Sequence, residues 1–377
     1  MPNVNDQKAA KAAAYADLIK SRIADLKPMK DYAADFAADC KANHPRISTG
    51  LLSFDIALNG GLAEELYIMS AETSTGKSAF MMSVAQHIAE SGINVLYFAM
   101  EMGKKEFAAR GISTISYEHS FHDKTATTVP VDSFDDGKKF VAGDVLYWKY
   151  DYSLKMFTRV PYEQYSGYAD EYFKRYGDHL YILEALTDGF TVKDIANIAA
   201  LFKRQTQQPV VVFVDYLQLI KADPDDRSQT DRKTKMDVCV TTLKALASQV
   251  GMPVFTISSV GRASYGKDVG LSSNKESGDT EYTGGVMIGW NWDGVSNAAS
   301  EEAANQEKEL CKQRGYRKMK LEILKFRNAA RDNSINLTYY PAYSYFAGPD
   351  EDGFIPIGDA ETHFDDKKTL QKRVVEG

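Results

Sequence analysis

Residues 66–85 read LYIMSAETSTGKSAFMMSVA, and the parsing of this stretch decides the fold. Residues 66–69 are apolar at every position, as suits a strand buried on both faces. Residues 70–75 are small and polar, and Gly76-Lys77-Ser78 then open a second apolar run. A buried strand that enters a helix through a tight polar turn forms a phosphate cradle. Backbone N–H groups of the turn and of the first helical turn, here Ser74, Thr75, Gly76, Lys77, Ser78 and Ala79, point into one concavity where phosphate oxygens are stabilised. In such a loop Lys77 reaches the β/γ-phosphates and the Ser78 hydroxyl ligates Mg²⁺. The spacing departs from G-x-x-x-x-G-K-[ST] only at its first position, where Ala71 stands in place of glycine.

Outward from this loop the chain alternates between two periods. Strand-like runs fall at 66–70, 95–100, 210–214, 254–258, 286–290 and 321–326, and helical patterns at 77–90, 104–117, 191–205 and 231–250. Strands separated by helices imply parallel βαβ units, and PVVVFVD (209–215) is apolar up to its last residue. The expected fold class is α/β with a mainly parallel central sheet.

In such a sheet ligands bind beyond the carboxyl ends of the strands. Residues 210–214 run into Asp215, and 95–100 into Glu101, so both carboxylates are expected in the crevice that holds the phosphate loop. Asp215 suits the Mg²⁺ shell, and Glu101 suits activation of the water that attacks a γ-phosphate. Gln218, and Ser258-Ser259 at the end of PVFTIS, are placed to sense that phosphate through a hydrogen bond or to serve as ordinary strand-end partners.

The 377 residues suffice for one large α/β core with an appendage, or for two modest domains. No apolar stretch approaches a membrane span and the N-terminus lacks a signal-peptide core, so no membrane association and a cytoplasmic location are expected. Three widely spaced cysteines, Cys40, Cys239 and Cys311, imply no disulfide framework, and Cys239 reads as a core residue. A net charge of −7 argues against a chain coated in nucleic acid. It leaves room for a local basic surface, such as the lining of a ring's channel.

Residues 6–42 read as two short helices broken at Lys27-Pro28, and the domain boundary is expected near Pro45. So short a pair buries little surface and is expected to pack on its own core or on a neighbouring subunit. Residues 120–180 are aromatic, polar and acidic without a clear period, and read as an inserted surface subdomain. The tail from 347 onward is charged. His119/His122 and Cys40/His44 carry metal-ligand spacing without a second ligand pair.

Taken in order, STGLLSFDIALNGGL (48–62), AETSTGKSAF (71–80), VLYFAMEM (95–102), VFVDYLQLI (212–220), TLKALASQVGMPVFTISSVGR (242–262), KESGDTEYTGGVMI (275–288) and LKFRNAARDNSINLTYYPAYSYF (324–346) resemble the RecA-like motor domain of the DnaB family of replicative helicases. The resemblance covers 46–346 apart from the insertion, and in that family Ala is common at the position of Ala71. It assigns Lys77 and Ser78 to phosphate and Mg²⁺, Glu101 to water activation, Asp215 to the metal shell and Gln218 to sensing. Lys275, Glu276 and Gly278 match a loop that tracks single-stranded DNA. Lys325 and Arg327 match a Lys-x-Arg pair that reaches the nucleotide of the adjacent subunit, and alternation along a strand would put both on one side with Phe326 in the core.

Two departures stand out: Ser259 occupies a position where the family usually has Gln, and the N-terminal collar domain has no counterpart before Pro45. By resemblance, the last helix before Pro45 is the linker that docks on the next subunit. The resemblance implies an ATP- and Mg²⁺-dependent DNA helicase of replication, built as a homo-oligomeric, hexameric ring on single-stranded DNA, with a loader or primase as partner. An ATPase of recombination, repair or a mobile element that binds DNA or protein without processive unwinding is the alternative.

Overall fold

The computed structural model describes most of residues 13–41 and 46–129, together with 148–151, 156–159, 162–185, 189–224, 231–261, 265–274, 285–326 and 334–348. The chain divides into two compact units, Met1–Pro45 and Arg46–Gly377. The first holds a 3₁₀ turn at Met29–Tyr32, begun after Pro28, that runs into helix α1 (Ala33–Lys41). Proline suits that start because it lacks an N–H and its φ is already fixed. Tyr15, Ile23, Leu26, Met29 and Phe36 in this unit are exposed.

The second unit opens with α2 (Leu52–Ala57), β1 (Leu66–Ala71), α3 (Lys77–Glu90), β2 (Asn94–Ala99) and α4 (Lys104–His122). A hairpin of β3 (Trp148–Asp151) and β4 (Met156–Arg159) forms a sheet of its own. Then follow α5 (Ser166–Tyr176), β5 (Leu180–Glu184), α6 (Val192–Thr206), β6 (Val210–Asp215), α7 (Arg232–Val250) and β7 (Val254–Ser259). The described chain closes with β8 (Val286–Trp292), α8 (Glu301–Arg314), β9 (Arg317–Phe326), β10 (Ser334–Tyr340) and β11 (Tyr345–Ala347).

Nine strands pair in the order β11-β10-β9-β8-β1-β7-β6-β2-β5. The six from β8 to β5 run parallel, and β9, β10 and β11 extend the sheet antiparallel. The α/β class with a mainly parallel sheet is therefore observed. Alternation along β1 sends Tyr67 and Met69 to one face and Leu66 and Ile68 to the other, and each face has its own buried cluster. On the first face Phe80 of α3 lies against Phe54, Trp290 and Phe346, with ring centroids 6.0, 4.8 and 5.5 Å away. Truncating so enclosed a ring to alanine costs about 3–5 kcal/mol, so the helix behind the phosphate loop is firmly seated.

The two ends of the stretch 120–180 belong to the main fold. Helix α4 continues to His122, α5 packs on it, and β5 pairs with β2 in the main sheet. Tyr165, Ala169, Tyr172 and Tyr176 are buried against Ala109, Ile112 and Ile115. Gly111 permits the approach, since a Cβ there would come within 2.1 Å of the Tyr172 ring. Arg175 of α5 bonds Glu90 of α3 at 2.9 Å and Glu118 of α4 at 2.8 Å, which ties three helices together.

Candidate active site

The phosphate loop leaves the sheet at Ala71, the last residue of β1, paired with Ser259 on one side and Trp290 on the other. Ala71 is thus ordinary extended strand, and the turn proper starts after it, so no glycine is required there. The left-handed backbone falls at Ser74 (φ 62) and Gly76 (φ 91). At Gly76 glycine is needed twice over, because a Cβ would also stand 2.6 Å from the Tyr339 ring of β10. The first intrahelical bond runs from Phe80 N to Gly76 O, so the N–H groups of Lys77, Ser78 and Ala79 belong to the open end of α3.

Carbonyls of the loop are held from several elements. Trp290 Nε1 donates to Thr75 O at 3.0 Å, Arg317 Nη1 to Ser74 O at 2.9 Å, and Thr75 Oγ1 to Glu72 O at 2.9 Å. The Arg317 guanidinium itself lies 4.3 Å from the centroid of the Trp292 ring. Sequence reasoning missed Trp290, Arg317 and Tyr339 as parts of this site. Their periodicity marks them as strand residues, and only the sheet order brings β8, β9 and β10 beside the loop.

Lys77 is buried and donates to Glu72 O at 3.3 Å. Burial pushes its ammonium below the usual lysine value, opposed by the charges of Asp215 and Glu101. Asp215, the last residue of β6, is buried and accepts from Ser78 Oγ at 3.2 Å and from Tyr97 OH at 3.0 Å. Burial pushes its carboxyl up to about 6, with Glu101 acting in the same direction and the two hydrogen bonds and Lys77 against it. A hydroxyl and a carboxylate this close, beside helix N–H groups, form the hard-oxygen donor set that Mg²⁺ takes when bound with a phosphate.

Glu101 is exposed in the short turn between β2 and α4, with Met100 N bonded to Asp215 O at 2.9 Å. Gln218 spends its amide on the end of β7: Nε2 donates to Ser258 Oγ at 3.0 Å and to Ser259 O at 3.1 Å, and Oε1 accepts from Ser259 N at 3.2 Å. Since Ser259 pairs with Ala71, a bonded path joins Gln218 to the base of the phosphate loop.

The structure therefore brings Ser74, Thr75, Gly76, Lys77, Ser78, Ala79, Glu101, Asp215 and Gln218 to one end of the sheet. Lys325 lies in β9 opposite Met287, and its neighbour Phe326 is buried. Arg327, Lys275, Glu276 and Gly278 lie outside the described residues. His119 bonds Glu171 Oε2 at 2.7 Å. His44 is outside the described residues.

The chain resembles known proteins in sequence and in fold. The chain is 25% identical over 272 residues to the replicative DNA helicase DnaB of Geobacillus stearothermophilus, covering 71% of this chain and 52% of that protein. It is 24% identical over 263 residues to the DnaB-like replicative helicase of Enterobacteria phage T4, covering 68% and 47%. The chain thus spans about half the length of these curated relatives. Among solved structures, an isolated ATPase domain superposes with a TM-score of 0.60 at 18% identity, over 86% of this chain and 99% of that one. A DnaB-like replicative helicase, described with its interactions with primase, superposes at 0.59 and 18% identity, over 90% and 73%. These two likenesses establish the fold. The family described as DnaB-like helicase C terminal domain matches residues 46–130 and 168–348, so it spans both the phosphate loop and the strands that close around it, and this chain belongs to that family.

Proposed function

We propose that this chain is the motor part of a ring-forming DNA helicase that hydrolyses ATP with Mg²⁺, translocates on single-stranded DNA and unwinds duplex during replication. The observation that carries this reading is the convergence of Lys77, Ser78, Asp215 and Glu101 at the carboxyl ends of β1, β6 and β2, parallel strands of one sheet.

Lys77 and the N–H groups of 74–79 bind the phosphates. Ser78 and Asp215 hold the metal, which when bound neutralises charge on the β- and γ-phosphates. Glu101 accepts the proton of the attacking water, and Gln218 links the state of the site to the end of β7. Lys325 and Arg327 serve the site of the adjacent subunit, and Lys275, Glu276 and Gly278 follow the DNA backbone. A hexamer, a cytoplasmic location and a loader or primase as partner belong to the same proposal. Among the described residues no helix is long and apolar enough to cross a membrane.

Phosphate release measured with and without single-stranded DNA, alongside strand displacement on a forked duplex, tests the reading. DNA-stimulated hydrolysis with displacement supports it. Hydrolysis without displacement favours a recombination or repair ATPase, and loss of both removes the motor.

A further inference from the structure

We infer that Glu184 is a positioning residue for Glu101, and that it works by holding the first turn of α4 from the neighbouring strand. The inference rests on the reading of Glu101 as the group that activates water.

Glu101 sits in a turn of four residues between Ala99, the end of β2, and Lys104, the start of α4. One side of this turn is fixed by Met100 N, which donates to Asp215 O at 2.9 Å. The other side depends on a helix start that cannot cap itself: the N-cap residue is Gly103, which has no side chain, and no side-chain cap bond is present. The carboxylate of Glu184 fills that role from 80 residues away, with Oε1 accepting the N–H of Lys104. A negative oxygen at this position also complements the positive end of α4.

The fold places Glu184 there by register. β5 pairs parallel with β2 so that Glu184 lies opposite Ala99, and Ala185 N donates to Ala99 O at 3.0 Å. Gly103 leaves room for the carboxylate, since a Cβ on it would stand 3.1 Å from Glu184 Oε1. Glu101 is thus bracketed by two bonds, one from the metal-side strand β6 and one from the edge strand β5. Neither bond touches the phosphate loop, so loosening the second affects hydrolysis and spares nucleotide binding. A displacement of about 1 Å in a catalytic group can cost on the order of a hundredfold in rate.

The test compares Glu184→Ala, Glu184→Asp and Glu184→Gln in the full chain by steady-state ATP hydrolysis, with Glu101→Gln as reference and thermal melting as a control. Alanine removes the acceptor, aspartate keeps the charge but is one methylene too short, and glutamine keeps both length and acceptor. The expected result is a fall in kcat of roughly ten- to a hundredfold for Ala and Asp, KM for ATP within about twofold of the parent, and near-parental kcat for Gln. A plain helix cap would lower the melting temperature and leave kcat unchanged. Parental kcat in Glu184→Ala, a change confined to KM, or a Glu184→Gln defect as deep as that of alanine overturns the inference. If alanine prevents folding, the Asp and Gln variants decide it alone. A parental rate in Glu101→Gln would instead overturn the reading of Glu101 itself, whereas an inactive Glu101→Gln beside a fully active Glu184→Ala defeats only the positioning.

Discussion

Ser78 of α3 donates its hydroxyl to Asp215 Oδ1 of β6 at 3.2 Å, so the first turn of the phosphate-loop helix is tied directly to the end of a strand two places away in the sheet. The other carboxylate oxygen takes a bond from Tyr97 of β2 at 3.0 Å. Asp215 is thereby fixed in orientation by two neighbouring elements before any phosphate arrives.

Lys77→Ala is expected to abolish hydrolysis while leaving the fold intact, because the side chain's one described bond is to Glu72 O and the aromatic packing behind α3 does not involve it. Glu101→Gln should bind ATP and stall, with hydrolysis reduced at least about a hundredfold. Nucleotide-binding titrations and phosphate release on the same preparations check both, with far-ultraviolet circular dichroism for the fold.

Asp215 gives a pH dependence of defined sign. Its carboxyl is pushed up to about 6 by burial, from 3.8 for a free aspartate, so the folded state binds this proton more tightly than the unfolded state. In the presence of a chelator, the stability this group contributes is present in full below pH 3.8 and is lost as pH rises through about 6, a loss of about 3 kcal/mol. Metal and nucleotide reverse the trend, since they need the carboxylate: their stabilising effect should grow as pH rises through the same range. Melting temperatures from about pH 4 to about pH 8, with chelator and with Mg²⁺-nucleotide, should show both slopes in the parent and weaker ones in Asp215→Asn, where other carboxyls raised by burial, such as Glu118 and Asp55, leave part of the first.

Arg175→Ala should destabilise the second unit by about 3–5 kcal/mol, because it strands partly buried carboxylates. The Arg175 side chain is 20% exposed and its partners Glu90 and Glu118 are 21% and 29% exposed. Burial already raises the Glu118 carboxyl above its usual value, and Arg175 opposes that shift. Urea denaturation should show a lower midpoint, partly recovered by adding Glu118→Gln. An unchanged midpoint would mean that α5 is not part of the motor's core.

A shared active site is tested by mixing. Arg327→Ala should bind nucleotide and lose most hydrolysis, by about a thousandfold for an arginine acting in trans. Mixed with inactive Lys77→Ala protein in rings that exchange subunits, it should regain activity, since some interfaces then join an intact Lys77 to an intact Arg327. No recovery at any ratio would exclude a site divided in this way.

Much of this was legible in the sequence because the signals were local. The continuous apolar runs ending in Met69, Met100 and Val214 identify parallel strands, and the polar residues just beyond them fall at the carboxyl ends of those strands, where such sheets bind ligands. Helix α3 begins at Lys77 as its spacing predicts. What escaped was long-range or masked by composition. β5 is a five-residue edge strand whose apolar residues 180–183 close the irregular stretch 120–180, and only its long-range pairing with β2 makes it part of the sheet. The buried face of α5 and its N-cap does recur at helical spacing, as Tyr165, Ala169, Tyr172 and Tyr176, but sits among polar residues that hide the period. Arg317, Trp290 and Tyr339 reach the phosphate loop only through pairings across the sheet, which no local pattern encodes.

The antiparallel pair of β9 and β10 has a bearing on how a ring would keep time. At one end, where Arg317 pairs with Tyr339, it touches its own phosphate loop. At the other end β9 carries Lys325 and leads to Arg327. Ten residues of strand make this ribbon ~30 Å long, and in a ring where Arg327 serves the next site, that length acts as a ruler between one nucleotide and its neighbour. Removing two residues from the middle of β9 would preserve which side chains face inward yet shorten the ruler by ~7 Å, leaving each subunit able to hold its own nucleotide and out of reach of the one beside it.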